Sequence, residues 1–201
     1  MPRKSNWLHR RAVYEDVNRR AAWAISLLFA ATLGAAYSDY VSAKQKFDLI
    51  ESDRLRAGSR VDLSLRELNA YAAHEAPPGV RNPRIQVTAP GIASGTALVD
   101  FAKVGRAQGY EPGWLMSKLL SGERPVGVTV RIRSAAGQAT VDVLRVEISG
   151  IEIDGRTLDF LIRNILLAMY PNAVVGRPFE LGHRIERLDV GPGPVGVVIG
   201  R

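Results

Sequence analysis

Carboxylates, histidines and hydroxyls are the side chains that could do chemistry, and here their spacing assembles no catalytic set. Glu147, Glu152 and Asp154 fall along one strand-like stretch. A carboxylate pair can run acid–base hydrolysis when one member holds a proton and the other is ionised. These three alternate with Val146, Ile148, Ile151 and Ile153, the pattern of a strand's solvated face. The histidines are His9, His74 and His183. His74 falls in the last turn of a predicted helix, where a basic ring suits the helix dipole. His183 and Arg184, with Glu186 and Arg187, read as a surface charge cluster, with head-group contact as the alternative. HExxH, GxSxG, GxxxxGK[ST] and a Gly-rich dinucleotide loop after a strand are all missing. There is no cysteine, which excludes a disulfide framework, a thiolate nucleophile and a Cys-type zinc site. The expectation is a protein that is not an enzyme, with no catalytic residue, metal or cofactor.

What the side chains offer instead is apolar surface. Val126, Val128, Val130 and Ile132 alternate with Gly127, Thr129, Arg131 and Arg133, a strand with one apolar face. Downstream, Leu158, Leu161, Ile162, Ile165, Leu166 and Met169 sit in a run whose only polar stripe is Asp159, Arg163 and Asn164. A helix this apolar is buried against a broad surface or covers something greasy. Those ten residues are the candidate lining of a groove for acyl chains, each buried CH2 contributing about 0.8 kcal/mol. The alternative is that the helix fills the sheet as an ordinary core.

The elements that must position these residues follow from period and punctuation. Ser64 and Glu67 make a capping box, and Leu65, Leu68, Tyr71 and Ala72 fall on one face of a helix stopped by Pro77-Pro78-Gly79. Ile85, Val87 and Ala89 alternate with polar residues up to Pro90-Gly91, and 97–102 reads as a second strand. Pro112 opens a brief helix through WLMSKLL that Gly122 closes. Ala136-Gly137 turns the chain into a long strand over 140–154, whose apolar phase shifts twice; each shift predicts a bulge or bend, the second at Gly150. A long apolar helix is expected over 157–170, ended by Pro171. Strands over 185–190 and 195–199 flank the GPGP turn at 191–194. Short turns between strands predict an antiparallel sheet. The expected fold is α+β: an N-terminal transmembrane helix, then a curved antiparallel sheet packed against two or three helices, one long and very apolar.

With 46% hydrophobic and 23% charged residues the 201-residue chain suits a globular protein. Its net charge of +7 is unevenly spread. Residues 1–20 carry six basic side chains against Glu15 and Asp16, a balance of +4, which leaves only +3 on the remaining 181 residues. No basic face with interleaved aromatics results, and no nucleic-acid partner is expected. From Ala21 to Ser38 there is no charge. As a helix that run reaches roughly 27 Å, just short of a ~30 Å hydrocarbon core. The expected organisation is a basic cytoplasmic segment over 1–20, a transmembrane anchor or signal segment over 21–38, a connector over 39–60 and an exported α+β domain over 61–201. The basic flank keeps the N-terminus cytoplasmic and places the domain outside, in the periplasm, as a single-pass protein of the cell membrane. A cleaved signal peptide, with Gly34-Ala35-Ala36 at the cleavage site and a secreted domain, is the alternative, and a buried helix of a soluble protein is a further one.

The run VDLSLRELNAYAAHEAPPGVRNPRIQVTAPGIASGTALVDF resembles the start of small bacterial lipid-binding domains related to the tubular lipid-binding (TULIP-like) superfamily. The run VDVLRVEISGIEIDGRTLDFLIRNILL, through FELGHRIERLDV, resembles their second part, so the likeness covers about residues 60–200. It implies a bent sheet cradling a helix, with a groove for phospholipid or another amphiphile, outside the cytoplasmic membrane. The functional expectation is a membrane-tethered envelope protein binding membrane lipid in an apolar groove. A structural or scaffold protein of the envelope, with a solid core and a protein partner, is the alternative, and a hydrolase is the third reading.

Overall fold

The computed structural model describes residues 36–107, 122–163, 167 and 174–201, the side chain of Phe160 excepted. The chain divides into two compact units, Met1–Ser38 and Asp39–Arg201. The second unit is sheet-rich α+β, with its strands in two antiparallel sheets.

Helix α1, over residues 39–51 of this unit, is followed by β1 (Arg60–Leu63) and α2 (Leu65–His74). The capping box forms: Ser64 Oγ accepts from the Glu67 N–H at 3.2 Å, and Glu67 Oε2 accepts from the Ser64 N–H at 2.7 Å. Glu67 does more than cap. Only 6% exposed, it also accepts from Ser42 Oγ at 2.5 Å and lies 2.6 Å from Lys46 Nζ, both on α1. Burial alone would raise its pKa. The bonds from Lys46, Ser42 and Ser64 to the ionised form outweigh that and hold it at about 2. One carboxylate thus joins α1 to α2.

Strands β1, β9 (Val195–Ile199) and β8 (Ile185–Asp189) form the three-stranded sheet, in that order. Its inner side meets α1 and α2 in the main core: Ala43, Ile50, Val61, Leu63, Val197 and Ile199, with Phe47, Leu68 and Tyr71 packed against them. Outside, the Arg60 guanidinium lies over Gly196 and reaches Asp62 on β1 and Asp189 on β8. Gly196 is where β9 must lack a side chain for that crossing to occur.

The six-stranded sheet is built from β2 (Val80–Ala89), β3 (Ile92–Asp100), β4 (Glu123–Ala135), β5 (Gln138–Ile148) and β6 (Ile151–Ile153), in chain order, with β7 (Phe179–Glu180) on β5. The two sheets meet where β8 runs past the ends of the hairpins. Gly91 N–H donates to Val190 O, Gly137 N–H to Glu186 O, and Ser134 Oγ bonds both the N–H and the C=O of Leu188. Alternate residues of β8 therefore find partners on its outer edge, and a potentially sticky edge is covered.

The structure corrects the expected layout in several places. The final two strands do not extend the main sheet; they pair with each other and with β1. Phe101 and Ala102 are helical, in α3 (Phe101–Ala107), because the Asp100 side chain accepts the Lys103 N–H at 3.0 Å and ends the strand. The second phase shift in 140–154 is a reversal. Ser149 and Gly150 take φ of 54° and 81°, the left-handed pair of a tight hairpin turn, and β6 folds back on β5. The first shift is a bulge, with Leu144 unmatched between Val143 and Arg145. Of the helix expected over 157–170, the described part is α4, Gly155–Leu161, which starts two residues early and continues in π-type turns at Ile162 and Arg163. Residues 164–166 and 168–173 lie outside the described residues, as does the WLMSKLL segment.

The single-pass membrane reading is also corrected, for no described helix is long and apolar enough to cross a membrane. A span needs about 20 apolar residues. Helix α2 is ten residues long in all and the α-helical parts of α3 and α4 seven each, polar residues included, while α1 carries Lys44, Lys46, Asp48 and Glu51. Residues 21–35 of the apolar run, and the basic segment before it, lie outside the described residues.

Candidate functional site: an apolar sheet face

Strand register decides which side chains share a face. Across the six-stranded sheet, Val87, Ala93, Val130 and Val143 stand in one row. The next row is Ile85, Gly95, Val128, Val146 and Ile153, and the one after is Ala97, Val126, Ile148 and Ile151. Residues directly opposite in paired strands point the same way. The result is a continuous face of Val, Ile, Ala and Gly. On the reverse side stand Gln86, Ser94, Thr129 and Arg145, then Arg84, Thr96, Gly127, Glu147 and Glu152. The bulge at Leu144 preserves this segregation, because it returns β5 to phase after its apolar pattern has slipped by one.

The apolar face is shaped. Its second strand, β3, contributes only Ala93, Gly95 and Ala97 to the rows above, whereas β2 and β4 on either side contribute Ile85 and Val87, and Val126, Val128 and Val130. A shallow furrow therefore runs along β3. Gly95 is its lowest point: a Cβ there would meet, among the described residues within 4 Å, only Arg84 O at 3.8 Å. One end of the furrow closes at Val99 and Val80, where Val104 of α3 and Leu161 of α4 pack.

Val126, Val128, Val130 and Ile132, predicted from the sequence, share this face and are each half-buried. Leu158, Leu161 and Ile162 are half-buried in and just after α4, and Leu161 packs on Val104 of α3, which also meets Val80 and Val99 of the sheet. Ile165, Leu166 and Met169 lie outside the described residues. Ile132 also borders an open cavity of about 560 Å3, walled by Arg60, Gly91, Arg133, Ser134 and Asp189. Sequence reasoning missed the furrow itself. The small side chains at 93, 95 and 97 were its signal, and they acquire meaning only when flanked by two Val/Ile strands.

The titratable groups are placed otherwise. Glu147 and Glu152 oppose each other on the polar face and share Arg145, at 3.5 and 2.9 Å. Asp154 stands apart, as the residue that precedes α4. His74 stacks on Tyr40 with ring centroids 3.7 Å apart, and its Nδ1 is 3.2 Å from Glu75, which also accepts from the Tyr40 hydroxyl at 2.9 Å. That hydrogen bond lowers the Glu75 pKa and raises that of Tyr40. His183 Nδ1 lies 3.7 Å from Asp53. Arg184 spends its guanidinium on the carbonyls of Asp53, Leu55 and Gly200. Among the described residues, no group of three or more His, Asp or Glu side chains is arranged to hold a metal ion.

No family model matches this chain, and neither a curated protein nor a solved structure does.

Proposed function

We propose that the Asp39–Arg201 unit binds the apolar chain of a lipid or another amphiphile along the β3 furrow, without catalysing a reaction on it. One observation carries this reading: a continuous Val/Ile/Ala/Gly face whose members Val126, Val128 and Val130 are half-buried and, among the described residues, belong to neither core cluster. Water against such a face is unfavourable by roughly 25 cal/mol per Å2, and a linear chain laid between the two ridges removes it. The likeness of residues 60–200 to tubular lipid-binding domains supports the same ligand class.

The test uses the full chain and a fluorescent fatty acid. Saturable uptake by the native protein and loss of uptake in Gly95→Phe, with an unchanged thermal transition, are expected. The φ of Gly95 is not in the left-handed region and its surroundings accept a Cβ, so the substitution fills the furrow rather than breaking the strand. Absence of uptake by the native chain, or equal uptake by Gly95→Phe, overturns the reading.

A scaffold role with a protein partner is favoured by a different feature. Ile151 is 66% and Leu144 42% exposed, both where β5 and β6 border solvent. Crosslinking that recovers one partner at these two residues, and not at Gly95, would point there.

A further inference from the structure

We draw no further inference here: the strongest candidate, the open cavity of about 560 Å3 at the Gly91 end of the six-stranded sheet, is walled by Arg60, Arg133 and Asp189, whose charges are already paired within the chain, and nothing in the structure shows what it would take.

Discussion

The Asn69 side chain pairs with both backbone groups of Ile85. Its Oδ1 accepts the Ile85 N–H at 2.7 Å, and its Nδ2 donates to the Ile85 carbonyl at 2.9 Å. A single amide on α2 thus substitutes for a neighbouring strand at the outer edge of β2, while a third bond, donated by Nδ2 to Leu65 O at 2.7 Å, fixes its orientation. Asn69→Ala orphans both groups, and each partly buried backbone group left unmet costs about 1–3 kcal/mol. The expected loss is roughly 2 kcal/mol in urea denaturation, with faster amide exchange at Ile85. Asn69→Asp keeps the acceptor and loses the donor, so an intermediate loss is expected. Equal stability of Asn69→Ala and the native chain would show that water replaces the amide at no cost.

Glu67 makes stability depend on pH in a definite direction. Its folded pKa, about 2, lies below the ordinary value of 4.5, so its contribution is complete above 4.5 and fades as pH falls toward 2. A depression of that size corresponds to roughly 3 kcal/mol. Denaturation midpoints measured between pH 6 and pH 2 should fall through this window. In Glu67→Gln stability at pH 6 should drop by about that amount, and the slope should flatten. A shallower slope remains in that variant, because Asp100 and Glu75 are depressed as well. An unchanged slope would mean that Lys46 and Ser42 do not hold the carboxylate in solution.

Gly79 separates α2 from β2 and tolerates no side chain. Its φ is +97°, and an added Cβ would lie 2.8 Å from Lys103 Cβ, 2.8 Å from Val104 N and 2.9 Å from Asp100 O. Backbone atoms cannot step aside as a flexible side chain can. Gly79→Ala should therefore destabilise by more than the ~1 kcal/mol that the backbone conformation alone costs, roughly 3 kcal/mol in total. Calorimetry of this variant beside Gly196→Ala gives the contrast. There the obstacle is the end of the Arg60 side chain, half exposed, and the loss should stay within about 1 kcal/mol.

Ligand uptake should follow sheet face rather than strand. Val128→Lys places a charge on the ridge beside the furrow and should reduce affinity for a fatty-acid probe at least tenfold. Thr129→Lys, one residue along the same strand on the polar face, should leave affinity within about twofold, since no apolar contact is lost. Fluorescence titration of both variants decides, with thermal melts to confirm folding. Equal losses would place binding elsewhere.

Features that depend on neighbours in the chain were legible in the amino-acid sequence. Residues three apart settle a capping box, so Ser64 and Glu67 announced α2. Alternation over a few residues settles which side chains of a strand stand together, so Val126, Val128, Val130 and Ile132 were grouped correctly on one face. Contacts between residues far apart were not legible. A slip in the apolar phase is the same signal for a bulge, as at Leu144, and for a reversal, as at Ser149-Gly150; only the pairing of β6 back onto β5 distinguishes them. Asp100 reads as one more strand residue until its carboxylate is seen on the Lys103 N–H. A run apolar on almost every side, such as 157–170, has no period to mark where regular α-helix gives way, and the α-helical turns of α4 pass into π-type turns at Ile162 and Arg163. The ion pairs of Arg145 with Glu147 on its own strand and with Glu152 across the hairpin depend on that β6–β5 pairing, and the Asn69 contact with Ile85 spans 16 residues. The sequence by itself determined local elements and their apolar sides, because those rest on short-range sterics and hydrogen bonds. Only the tertiary structure decided that β8 and β9 form a second sheet with β1, and that the small residues of β3 lie between two ridges. Strand partners are chosen by the burial and edge pairing of the whole domain, which no stretch of the chain encodes alone.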